Sequence, residues 1–170
     1  QVQYVSLNKQ VTPRGQLFVF LPGANCTPSL YTKVYDTASN LGFHAIGLMI
    51  VNPAYVDPLT GIGCQRSSDP ACYGQTRLEV IDGTDRSSHV NVDRSNSIEN
   101  RLIKLLVHLA DRNPEDNWGQ YLDAQTNLVW PKIVISGHSQ GGPHAGLIAK
   151  YHPVARSIMF AGSDWWQAGS

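Results

Sequence analysis

The chain has 170 residues, 42% of them hydrophobic, and its thirteen Lys and Arg balance thirteen Asp and Glu. That length and apolar content build one globular core and leave no room for a second, so residues 1–170 are expected to form a single domain. The neutral balance lacks the basic footprint that nucleic acid or an anionic membrane surface requires, and no apolar run approaches the roughly 18 residues of a membrane span. A small, neutral partner is expected instead.

The chain opens on Gln1, without Met and without an apolar leader, as a processed or trimmed product does. Val2 to Leu7 reads as an edge-like strand, and Gln16 to Leu21 as a stronger one closed by Pro22-Gly23. After the loop Ala24-Asn25-Cys26, Thr27 suits an N-cap and Pro28 the first helical position. Leu30, Val34, Ala38 and Leu41 form one apolar stripe of that helix, and Gly42 is placed to end it. Phe43 to Val51 returns as a buried strand. From Asn52 to Ser95 the pattern dissolves into Pro, Gly, Asp and Ser, apart from a short apolar piece at Leu78 to Ile81, and so long a loop is often functional.

Order resumes at Asn96, expected to cap a helix with Glu99 reaching back three residues on. Ile98, Leu102, Leu105, Leu106 and Leu109 make its stripe, and it should end before Pro114. A polar link leads to a strand at Lys132 to Ser136, a helix from about Gln140 to Tyr151, and a last strand at Arg156 to Gly162. Strands alternating with helices predict an α/β fold, a mostly parallel sheet with helices on both faces, whose ligands bind at the carboxyl ends of strands.

Cys64 and Cys72 lie in a polar, turn-rich stretch that lacks apolar periodicity. A disulfide closing this short loop is expected, with two free thiols as the other reading, and it implies a secreted or periplasmic protein. Cys26 is either a small buried hydrophobe or the partner of a cysteine elsewhere.

The chemistry concentrates at Gly137-His138-Ser139-Gln140-Gly141-Gly142, which follows the apolar strand Ile133-Val134-Ile135 and opens a helix. A serine on a sharp strand-to-helix bend adopts a strained backbone, and only small residues two places to either side avoid collision. Gly137 and Gly141 supply that room. On these residues the chain resembles the α/β-hydrolases, with an elbow similar to that of lipases and esterases, from the Gln16 strand through Gly162.

The resemblance implies hydrolysis of a small-molecule carboxylic ester, without metal or organic cofactor, with Ser139 as nucleophile. The backbone N–H groups of Gln140 and Ala24 would form the oxyanion hole, Leu21-Pro22-Gly23-Ala24 standing in place of the family's oxyanion loop. Pro22 stands where the family often has His, a change that backbone donation survives. Thioesters and amides suit the same elbow, and a non-catalytic hydrolase-like binding or structural module is the reading of a different class.

In this family the acid and then the histidine follow the serine. Downstream of Ser139 stand only His144, His152 and Asp164. The two histidines fall on a helix leading away from the nucleophile and are expected to pack or face solvent. His138 should point away from Ser139, while His44, His89 and His108 precede the elbow. Asp164, after the last strand, is either an acid in a variant arrangement or a loop residue. The resemblance therefore implies a chain that stops short of the closing strands, completed by a missing C-terminal segment or by a second chain.

Other motifs are weak. No G-x-G-x-x-G, G-K-[ST] or H-E-x-x-H occurs, so nucleotide and zinc sites have no warrant. Asp82-Gly83-Thr84-Asp85 with Asn91 and Asp93 is read as a solvated turn rather than a calcium loop. The sequon Asn25-Cys26-Thr27 is taken as coincidence, because a glycan there would crowd the oxyanion loop. Trp165 and Trp166 either line an acyl pocket or cover the core, and Tyr55 and Tyr73 raise the same question.

Overall fold

A computed structural model describes residues 2–52, 64 and 67–162. Tyr55, Asp164, Trp165 and Trp166 lie outside the described residues, as does most of the segment 53–66.

The strands are β1 (Tyr4–Ser6), β2 (Leu17–Leu21), β3 (His44–Gly47), β4 (Ile133–His138) and β5 (Arg156–Phe160). They form one sheet in the order β1-β3-β2-β4-β5, parallel throughout except for the antiparallel edge strand β1. Period-two alternation gives the sheet two apolar faces. Leu17, Val19, Leu21, Ile46, Ile133 and Ile135 enter the larger core, whereas Phe18, Phe20, Ala45 and Val134 enter a smaller one.

Helices cover both faces, as expected. Against the smaller core lies α1 (Thr32–Asn40), with Tyr35 and Ala38 buried. Against the larger lie α2 (Cys72–Asp82), α3 (Ile98–Arg112) and α4 (Gly141–Tyr151), through Val80, Leu102, Leu106, Ala145 and Ile148. Among the described residues no helix is long and apolar enough to cross a membrane.

Several local expectations are corrected. Pro28 opens a 3-10 turn, Pro28–Tyr31, before α1 begins, and this tighter winding shifts the phase of the helix face. Leu30 and Leu41 of the expected stripe are consequently exposed, and Tyr35, stacked on Tyr4 and edge-on to Phe20, takes the buried position. Thr27 precedes that turn but bonds the Ser29 hydroxyl instead of capping it. The α3 cap is Ser97, whose Oγ accepts from Asn100 N–H. Asn96 instead ends a 3-10 turn capped by Asp93, and Glu99 pairs with Arg94 and His152.

The largest correction is α2, eleven residues of helix inside the segment expected to be loop. Its buried face includes Thr76, Arg77 and Glu79, so a packed helix carries no apolar period. It is fixed at its start by a disulfide between Cys64 and Cys72, with Cα atoms 5.4 Å apart, and at its end by Gly83 at φ +78°. A Cβ on Gly83 would strike the backbone of Arg94. Asp82 is occupied by the Arg86 guanidinium and the Thr84 N–H, the solvated-turn role expected of it.

Candidate active site

β2 and β4 lie side by side, with Leu21 paired to Gly137, so the loop after β2 and the turn after β4 leave the sheet at adjacent points. Ser139 stands on that second turn at φ +51°, a left-handed conformation that non-glycine residues rarely adopt. The turn is forced by close backbone approach on both sides. A Cβ on Gly137 would strike the carbonyl of Gly141, and one on Gly141 would strike the carbonyl of Leu21. Ser139 N–H donates to Phe160 O of β5 at 2.9 Å, and its own carbonyl accepts from Gly142 N–H at 3.0 Å. The side chain is thus presented half-buried at the head of α4.

The loop after β2 touches this turn directly. A Cβ on Gly23 would lie 3.2 Å from His138 Nδ1 and 3.3 Å from Ser139 Cβ. Within the loop, Cys26 N–H donates to Gly23 O, and Asn25 takes a left-handed φ of 53°. Among the described residues no backbone carbonyl accepts from the N–H of Ala24 or of Gln140. Both residues follow strands β2 and β4 at the carboxyl edge of the sheet.

Two residues that sequence reasoning did not single out hold this loop. Asn52, buried just beyond β3, donates through Nδ2 to Gly23 O at 2.6 Å and to Cys26 O at 3.0 Å. The Tyr31 hydroxyl accepts from Gly23 N–H at 3.3 Å and is hydrogen-bonded to His138 Nδ1 at 3.0 Å. Burial, followed by the neighbouring Cys26 thiol, pushes the Tyr31 phenol up to about 12, so it stays protonated. For Asn52 the available signal was its place after the apolar run Leu48 to Val51, at the carboxyl edge where ligands gather.

His138 is therefore a packed histidine engaged with Tyr31. His144 is buried, its Nδ1–H donating to Gln140 O at 2.7 Å, and burial pushes its pKa down to about 4, so the ring is neutral. His152 stacks on Trp130 and pairs with Glu99. His44 is buried between the Asp116 carbonyl and the Tyr121 hydroxyl. Among the described residues no histidine or carboxylate is hydrogen-bonded to Ser139. Gln140 is itself buried, and its side-chain amide finds no partner among the described residues.

Cys26 is unpaired and half-buried. Among the described residues one set with metal-ligand character converges, Cys64, Cys72 and His89, whose ligand atoms lie within 4.8 Å of one another. The two sulfurs are bonded to each other, so neither is a thiolate and the set is closed to a cation. Tyr73 lies under the Arg77 guanidinium.

No protein-family model, curated protein or solved structure matches this chain.

Proposed function

We propose that the protein is a serine hydrolase of the α/β-hydrolase type, exported, acting on carboxylic esters through Ser139. The observation that carries this reading is the left-handed Ser139 at a strand-to-helix turn whose two flanking glycines admit no side chain. A serine held on such a strand-to-helix bend is presented as a nucleophile to an incoming carbonyl.

Oγ attacks the ester carbonyl, and the N–H groups of Gln140 and Ala24 hold the oxygen as it gains charge, each worth about 3 to 4 kcal/mol of barrier. The alkoxy group leaves with a proton, and water then releases the acyl group from Ser139. All six histidines of residues 1–170 lie among the described residues and none is bonded to Ser139, so on this reading the imidazole base is supplied by a segment or chain other than these 170 residues. Thioesters and amides would react by the same steps.

The absence of a hydrogen-bonded base among the described residues favours a second reading, a non-catalytic module that keeps the elbow as architecture. A fluorophosphonate probe on the complete native protein separates the two. Covalent labelling that disappears in Ser139→Ala is expected, and an unlabelled native protein would establish the binding module instead.

A further inference from the structure

We infer that Asn52 is the positioning residue of the oxyanion hole, setting the direction of the Ala24 N–H; this rests on the hydrolase reading above and names how that site is built. The argument begins with one peptide plane. Gly23 O and Ala24 N–H belong to the same trans peptide unit, so they point in opposite directions and fixing one fixes the other.

Gly23 O is fixed on one side by Asn52 Nδ2 at 2.6 Å and by Cys26 N–H at 3.0 Å. Asn52 is only 5% exposed, and it grips the loop at two further points: Nδ2 reaches Cys26 O at 3.0 Å, and its backbone carbonyl accepts from Asn25 N–H at 2.9 Å. Asn52 thus ties the segment after β3 to three residues of the β2 loop, to Gly23 and Cys26 through its side chain and to Asn25 through its backbone carbonyl. The Ala24 N–H is left on the opposite side, uncommitted to any described carbonyl, in a loop whose Gly23 lies against Ser139 Cβ.

The preceding peptide unit is held independently. Its Gly23 N–H is accepted by Tyr31, whose ring is tilted against Phe20 and whose hydroxyl also meets His138, the residue beside the nucleophile. Tyr31 therefore keys the loop to the elbow, while Asn52 sets its direction. Both act through Ala24, and neither reaches the reacting atoms.

Asn52→Asp keeps the shape and removes the donor, placing a carboxylate against the Gly23 and Cys26 carbonyls. On the complete native protein, with p-nitrophenyl acetate as probe, kcat and kcat/KM should fall together by about 100-fold with KM unchanged, as for loss of a transition-state contact. Affinity for an aryl boronic acid, which forms a tetrahedral adduct on the serine, should fall by the same factor. Amide exchange at Asn25 and Cys26 should quicken at the same time, a readout that needs no turnover.

Tyr31→Phe, which retains the ring packing, should lose about 10-fold by the same pattern and serves if Asn52→Asp does not fold. Wild-type kcat in a folded Asn52→Asp protein, or a loss confined to thermal stability or to KM, would overturn the positioning role. A wild-type protein that neither hydrolyses the ester nor takes the probe, with exchange at Asn25 and Cys26 unchanged by the substitution, would overturn both readings. Quickened exchange in that inactive protein would overturn the hydrolase reading and leave the loop clamp standing.

Discussion

Around the β4 to α4 turn the chain is fixed by backbone meeting backbone, whereas between Cys64 and Ser97 it is fixed by buried polar side chains. At the turn, Gly137 lies on Gly141 and Gly141 on Leu21, with no space for a methyl group. In the other region the buried Glu79 carboxylate accepts from the N–H of Arg86, Ser87 and Val92, Thr76 meets Ser87, and a disulfide closes the start of α2. The first arrangement tolerates no added atom, and the second tolerates no lost one. The difference teaches where each region is vulnerable.

Gly141→Ala has the largest expected effect, because the clash is with main chain and cannot be relieved by a rotamer. It should destabilise by about 3 kcal/mol and abolish fluorophosphonate labelling, while amide protection at Arg86, Ser87 and Val92 survives in the folded fraction. Chemical denaturation and hydrogen exchange measure the two halves. Equal loosening of both regions would erase the distinction.

Acid should weaken the elbow side next. Burial holds His144 at about 4 against an ordinary 6.5, so between those values the unfolded chain takes a proton that the folded one refuses. Stability falls as pH drops through that window, by up to about 3 kcal/mol at 1.4 kcal/mol per unit. Urea midpoints at pH 7 and pH 4.5 show the drop, and His144→Gln should flatten it; an unchanged slope in the variant would assign the effect elsewhere.

Reducing the disulfide comes third. Opening a loop between positions 64 and 72 should cost about 2.5 kcal/mol, and thiol counting in denaturant should find Cys26 alone before reduction and all three cysteines after it. Three reactive thiols in untreated protein would refute the bridge. Glu79→Gln has the smallest effect, about 2 kcal/mol, because its amide turns a donor toward N–H groups that need an acceptor. Exchange should rise at Arg86, Ser87 and Val92 only, and the rate of Ser139 labelling should stay at the wild-type value.

The same contrast explains what the sequence disclosed. Continuous apolar runs at Leu17 to Leu21 and Ile133 to Ile135, with the glycines flanking Ser139, gave away the sheet centre and the turn, since strands buried on both faces read as unbroken apolar stretches. α3 was equally open through Ile98, Leu102 and Leu106. α2 was hidden because Thr76, Arg77 and Glu79 occupy its buried side, where an apolar period would have announced it. The phase of α1 was hidden by a 3-10 turn that only tertiary packing selects. Asn52 and Tyr31 were hidden by distance: Asn52 acts on Gly23 across 29 positions and Tyr31 on His138 across 107, and no local pattern encodes such a pairing.

One hydrogen bond carries a practical corollary. The amide proton of Ser139 is held by Phe160, on a strand whose ladder partner among the described residues is β4 and whose Met159 and Phe160 face solvent. That proton exchanges only when β5 parts from the turn after β4. A single nitrogen-15 resonance therefore reads, in one number, how firmly the proposed nucleophile is moored to β5.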